Sequence, residues 1–191
     1  MRAFAVGRAL AAMAVSAATA GLAPSAAGDE AAVREGRQIF AERIAPVLTH
    51  PRCLNCHTRG DFPRQGDDRH RHAFLVSRGA DGKGVPGLQC STCHQASNQD
   101  ASGVPGAPNW HLAPLTMAWE DLPAGELCRV LKDPAKNGGR DLEALLRHMS
   151  GDALVRWGWQ PGAQRRPVSL PHDQFVVALS RWIELGAACP M

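Results

Sequence analysis

Six cysteines stand at positions 53, 56, 90, 93, 128 and 189. Four of them form two copies of one pattern, Cys53-Leu54-Asn55-Cys56-His57 and Cys90-Ser91-Thr92-Cys93-His94. Two thiols three positions apart on a helical turn face the same way. Each can add its S–H across one vinyl group of a porphyrin, and the histidine that follows is then held under the ring with its imidazole on the iron. C-x-x-C-H is accordingly the attachment signature of c-type haem. Paired cysteines alone would also suit a redox dithiol or half of a zinc site. A zinc ribbon, however, needs no histidine in those slots and spaces its pairs about 15–20 residues apart, whereas 33 residues separate Cys56 from Cys90. A thioredoxin-like dithiol needs a βαβ setting, and none is suggested here. The expectation is two covalent c-type haems, held by Cys53, Cys56, Cys90 and Cys93, with His57 and His94 on the irons.

A haem iron also takes a sixth ligand or keeps an open position. The candidates are Met117, His50, His70, His72, His111, His148, Met149 and His172. Met117 lies in the loop Ala113-Pro114-Leu115-Thr116-Met117, 23 residues after His94, though a methionine also fills core gaps well. His72 is fifteen residues past His57 in a loop, beside His70, where solvated histidines are common. His148 sits at the edge of the apolar stripe of a helix. The choice matters, because His/Met ligation raises the potential and an all-imidazole site sits lower. An open site would permit ligand binding or peroxide chemistry.

The elements that must position these groups read as helices joined by long loops. Residues 30–48 carry Val33, Ile39, Phe40, Ile44, Val47 and Leu48 at helical spacing, with Pro46 unsettling the last turn. Residues 58–89 are polar and glycine-rich, a loop with one helical turn near Arg71–Ser77. Residues 95–121 are irregular, with Pro105, Pro108 and Pro114. A short helix over Glu126–Leu131 stops at Asp133-Pro134. Asp141 can cap a helix carrying Leu142, Leu145, Leu146 and Met149. A last helix over Asp173–Leu185 carries Phe175, Leu179, Trp182 and Ile183 and stops at Gly186. The fold class expected is all-α: one compact helical domain with long Gly/Pro-rich loops around two covalent haems.

The chain has 191 residues and a formal net charge of +3. Arg2 and Arg8 precede a small-residue apolar run over Ala9–Ala20, and no acid occurs before Asp29. That is the pattern of a cleaved signal peptide over 1–27, with 28–191 as a single domain. Taking Arg2 and Arg8 from the 21 Lys and Arg leaves 19 against 18 acidic residues, a net +1. Such a balance argues for no nucleic acid, which asks for a basic stripe. No later stretch is apolar over a spanning length, so no integral membrane segment is expected after cleavage. Export implies an oxidising compartment, the periplasm, in which Cys128 and Cys189 read as a disulfide.

Two resemblances follow from particular runs. Gly36-Arg37-Gln38-Ile39-Phe40 and Trp182-Ile183-Glu184-Leu185-Gly186-Ala187 resemble the first and last helices of class I cytochrome c. That resemblance implies that a Gly/Phe face crosses an aromatic face, with small Gly36 allowing close approach. It also implies an axial methionine presented from a Pro-containing loop, here Met117. His57 and His94 are only 37 residues apart, half of what tandem cytochrome domains need, which favours one domain with two nearby haems. The runs His50-Pro51-Arg52-Cys53-Leu54-Asn55-Cys56-His57, Trp110-His111-Leu112-Ala113-Pro114, Asn137-Gly138-Gly139-Arg140 and Trp157-Gly158-Trp159-Gln160-Pro161-Gly162 resemble small exported bacterial proteins often labelled as a subunit of isoquinoline 1-oxidoreductase. That likeness implies redox partner proteins, among them a molybdenum hydroxylase. The expected work is one-electron transfer. The rivals are a dihaem peroxidase-like enzyme and a zinc-stabilised binding module.

Overall fold

The computed structural model describes residues 26–162 and 164–191. The expected leader over 1–27 lies outside the described residues apart from Ala26 and Ala27, which open the first helix.

Helix α1 (Ala26–Ile39) runs through one wide turn, Phe40–Ile44, into α2 (Ala45–Leu48). In that wide turn the Ala45 N–H reaches the Phe40 carbonyl, five residues back. Pro46 explains the widening. It has no N–H to give the Glu42 carbonyl four residues back, and its ring would press on that oxygen. Opening one turn by a residue lets the helix pass the proline without stopping. The continuous rod buries Phe40, Ile44, Val47 and Leu48 on one side.

Three further helices close the core. These are α5 (Ala124–Lys132), α6 (Leu142–Gly151) and α8 (His172–Glu184). Asp141 caps α6 as expected, its carboxylate accepting the Ala144 N–H at 2.7 Å. Leu127, Leu131, Leu145, Phe175, Leu179 and Trp182 meet the α1–α2 face and are almost wholly buried. Each such side chain contributes about 1.5–3 kcal/mol when taken from water. Phe40 packs on Trp182 with ring centroids 5.3 Å apart, so the Phe face of the first helix does meet the aromatic face of the last. Gly36 is not forced, however. A methyl carbon added there would stand 3.6 Å from Ala188 Cβ and 3.7 Å from Leu185 Cβ, which is ordinary contact. Arg181 pairs with Glu35 across the same crossing. Cys128 of α5 is disulfide-bonded to Cys189, with Cα atoms 5.6 Å apart, and the bond ties the chain end to the core.

The segment 58–89 holds no helical turn near Arg71–Ser77. It folds into two short antiparallel hairpins instead. In the first, β1 (Arg64–Gln65) pairs with β2 (His70–Arg71), with Arg64 opposite Arg71. In the second, β3 (Gly84–Val85) pairs with β4 (Leu88–Gln89) around Pro86-Gly87, with Gly87 at φ +87°. Pro then Gly is the pair a type II turn asks for, since only glycine takes that φ without strain. Arg78, 6% exposed, gathers the loops. It donates to the carbonyls of Ala113, Thr58 and Gly60.

The small helices α3 (Pro51–Leu54), α4 (Cys90–Cys93) and α7 (Ala153–Arg156) complete the elements. The described residues are helix-rich, 44% helical against 6% strand, and form no barrel, which is compatible with a small helical domain. Among the described residues no helix is long and apolar enough to cross a membrane.

Candidate functional site

The two motifs adopt one local geometry. Cys53 lies in α3, which Pro51 opens and His50 caps by accepting the Arg52 N–H on Nδ1. His50 is therefore a capping residue. The turn carries on past α3, with the N–H groups of Cys56 and His57 both on the Cys53 carbonyl at 3.1 Å. At the second motif α4 is itself one turn, and the His94 N–H meets the Cys90 carbonyl at 2.9 Å. Each pair of thiols thus spans a single helical turn.

The histidines are held alike. His57 Nδ1 lies 2.8 Å from the Met117 carbonyl oxygen, and His94 Nδ1 lies 2.7 Å from that of Pro105. A carbonyl can only accept, so each Nδ1 carries the proton and each Nε2 keeps a free lone pair. That is the tautomer a metal-ligating imidazole needs, with its orientation set by the acceptor behind it. Each ring is also flat against an indole. His57 stacks on Trp119 at 3.4 Å between centroids and His94 on Trp110 at 4.5 Å. Burial pushes His57 down to about 3 despite the pull of the Met117 carbonyl, so the ring is neutral. Burial lowers His94 as well. Burial, and then the neighbouring Cys56, carries Cys53 up to about 12. Burial, and then Cys90, carries Cys56 up to about 11. Both stay thiols, and Cys90 of the second motif acts electrostatically on Cys56 of the first.

Cys53, Cys56 and His57 open onto a cavity of about 190 Å³ walled by Leu48, Phe175, Trp110 and residues of α6. Trp110 serves both motifs, since it lines this cavity and stacks on His94. The second motif lies at the surface, with Cys93 exposed and His94 half-buried.

Three buried donors around the first motif lack an acceptor among the described residues: Trp119 Nε1, Arg52 Nε and Arg78 Nε. Arg52 adjoins Cys53, and both Arg52 and Trp119 line the cavity. A buried donor left unpaired costs about 1–3 kcal/mol. Two thiols on one turn, an imidazole with Nε2 free and buried donors without acceptors fit a porphyrin, which brings vinyl groups, iron and two carboxylates. A zinc cage fits less well. Among the described residues no three of His, Cys, Asp and Glu converge on one point.

The remaining ligand candidates separate. Met117 meets the first motif through its backbone. Its carbonyl sits behind His57 on the side away from Nε2. Met117 supports His57 through this carbonyl, and its side chain, 6% exposed, packs in the core and lines the cavity beside His57. His148 lines the cavity, has Asp152 Oδ2 at 3.5 Å from Nδ1 and acts electrostatically on His57. Met149 and His111 also line the cavity. His72 stands beside His94, with ring centroids 6.1 Å apart. His70 is bonded to Asp68, and His172 donates from Nε2 to the Met149 carbonyl.

The supporting acceptors, Met117 O and Pro105 O, are not legible from residue type, because every residue has a carbonyl. A hint lay in Gly106, next to Pro105. A Cβ there would fall 2.2 Å from the Ser97 carbonyl, so only glycine lets the loop press in behind His94. Glu120 gives the other loop its hold. Its carboxylate accepts the Arg59 N–H and the Arg64 Nε–H, each at 2.6 Å, and an Arg69 N–H. The Trp119 N–H bonds the His57 carbonyl at 3.0 Å, so this clamp keeps the 117–120 segment against the first motif. Compared with known proteins, the chain matches no family model, no curated protein and no solved structure.

Proposed function

We propose that the chain is an exported c-type cytochrome that carries single electrons through two covalently attached haems. One observation carries the reading. Both C-x-x-C-H motifs fold as a helical turn, and each ends in an imidazole whose Nδ1–H is held by a distant carbonyl, at 2.8 and 2.7 Å. Two separate loops, 60 and 11 residues away in sequence, converge on the same tautomer. Structural thiols and solvated histidines would need no such arrangement.

A c-type haem supplies an iron that moves one electron at a time without proton chemistry. The chain's residues do the rest. Cys53 and Cys56, and Cys90 and Cys93, would attach the porphyrin by adding S–H across its vinyl groups, so that the thiol hydrogen ends on carbon and nothing is oxidised. His57 and His94 offer Nε2 to the irons. The apolar wall around Leu48 and Phe175 keeps water from the first site, and His148 stands in that wall. Trp110 lies between the sites and keeps them adjacent. The partner, from the resemblance in sequence, is a periplasmic molybdenum hydroxylase that hands on electrons from its substrate. The test is expression with export in a host that matures c-type cytochromes, followed by pyridine haemochrome assay. Two haems per chain are expected, and one per chain in a Cys90→Ser/Cys93→Ser variant. Export without covalent haem would overturn the reading.

A further inference from the structure

We propose that His72 is the second axial ligand of the iron at the second motif, which makes that site a bis-imidazole centre. The proposal rests on reading Cys90–His94 as a haem site and adds what closes it.

The spacing of the two rings is the main argument. A metal–imidazole nitrogen bond is about 2 Å, and the ring centre lies about 1 Å further on. Two axial imidazoles sharing one metal therefore have centroids about 6 Å apart. His72 and His94 are 6.1 Å apart, with their planes at 69°. His94 Nε2 is the free nitrogen, because Pro105 takes the Nδ1 proton. The other ring on His94 is Trp110, which has no lone pair to give. His72 is the neighbour that can.

The fold delivers His72 deliberately. It follows directly on β2, and its N–H continues the ladder to the Pro63 carbonyl at 3.1 Å. The chain then reverses at once, with the Leu75 N–H on the His72 carbonyl at 3.0 Å and Leu75 itself at φ +54°. A branched side chain in the left-handed region is strained, and such strain concentrates at functional sites. The Phe74 N–H donates to His72 Nδ1 at 3.3 Å, so ligation through Nε2 moves the ring proton to Nδ1 and opens this long contact.

A second observation points to a ligand of large apolar area. Phe74 and Leu75, the residues of this reversal, are 71% and 64% exposed. Adjacent exposed large apolar side chains call for a cover. A porphyrin edge between His72 and His94 would provide one, with the Phe74 ring 6.3 Å from His72 already at its margin. The ring that stands against His94 is that of His72, whereas His70 is bonded through Nδ1 to Asp68 at 2.6 Å.

The experiment uses the full exported chain. Haem is counted by pyridine haemochrome, and spin state is read by electron paramagnetic resonance of the oxidised protein. In the wild type the second haem is low-spin. In His72→Ala, two haems per chain remain but one becomes high-spin, and added imidazole returns it to low-spin. In His72→Met the site stays low-spin, gains a sulfur-to-iron band and rises in potential. His70→Ala changes none of these. If His72→Ala keeps both haems low-spin at unchanged potentials, His72 is not the ligand. If the wild type carries no covalent haem, the underlying cytochrome reading fails as well, so the two failures are distinct.

Discussion

Met117→Ala tests whether this residue acts through its side chain or its backbone. The Met117 carbonyl holds His57 at 2.8 Å, and alanine presents the same carbonyl. What the substitution removes is a buried thioether chain, 6% exposed, packed in the core cluster. Truncating a buried methionine to alanine costs about 2–5 kcal/mol. Met117 also lines the cavity beside His57, so part of its side chain already faces open space, and the lower end, about 2 kcal/mol, applies. In a chain of this size that lowers Tm by roughly 4–8 °C. On the proposed haem reading, the spectrum should not move if Met117 acts only through its carbonyl, because alanine preserves the tautomer of His57. The assay is a thermal melt beside optical spectra of the oxidised and reduced protein. A sulfur-to-iron band that vanishes in Met117→Ala, or a haem turned high-spin at a temperature where the variant is folded, would refute the reasoning and make Met117 a ligand.

The Cys128–Cys189 bond closes a loop of 61 residues, for which chain entropy gives about 4 kcal/mol. Cys128→Ser/Cys189→Ser should melt well below the parent under oxidising conditions and approach it when the parent is reduced. Gly36→Ala should be neutral or stabilising by up to about 1 kcal/mol, since a methyl group fits there and alanine favours the helix; a loss above that in denaturant titration would mean the α1–α8 crossing is tighter than 3.6 Å of clearance implies. Burial would raise Glu120, but the Arg59 N–H, Arg64 and Arg69 outweigh it and hold the carboxyl below its ordinary value. A carboxylate lowered on folding adds stability that is complete above its unfolded pKa of about 4.3 and is lost as pH falls through the folded value. Glu120→Gln should therefore be less stable than the parent at pH 7. The gap should close on acidification, and a gap independent of pH would show that the clamp is not electrostatic.

Much of the helical frame was open to reading because its signals are local. Asp141 caps α6 with the next turn's own N–H, and the apolar stripe of α8 repeats within thirteen residues. The second hairpin was open to the same kind of reading, since Val85-Pro86-Gly87-Leu88 carries its turn chemistry on its face, although the glycine-rich composition around it suggests only a loop. The missing helical turn near Arg71–Ser77 has another cause. His72 there is drawn into extension by Pro63, a residue nine positions earlier, which no local propensity records.

The sequence by itself determined the chemistry that spacing can encode. Two thiols and a histidine on one turn spell a candidate haem-attachment motif whatever surrounds them, and the two cysteines left over are candidates for one bond. Tertiary structure decided what depends on pairs far apart in the chain. It brought the Cys128 and Cys189 Cα atoms to 5.6 Å, set the Met117 carbonyl on His57 Nδ1, and placed His72 beside His94. The physical reason is the loops. Residues 58–89 and 95–121 have no periodic face to state which side is inward, so their positions follow from buried polar anchors such as Arg78 and Glu120. Those anchors bind backbone atoms and side chains up to 61 residues away, and only the folded chain brings them together.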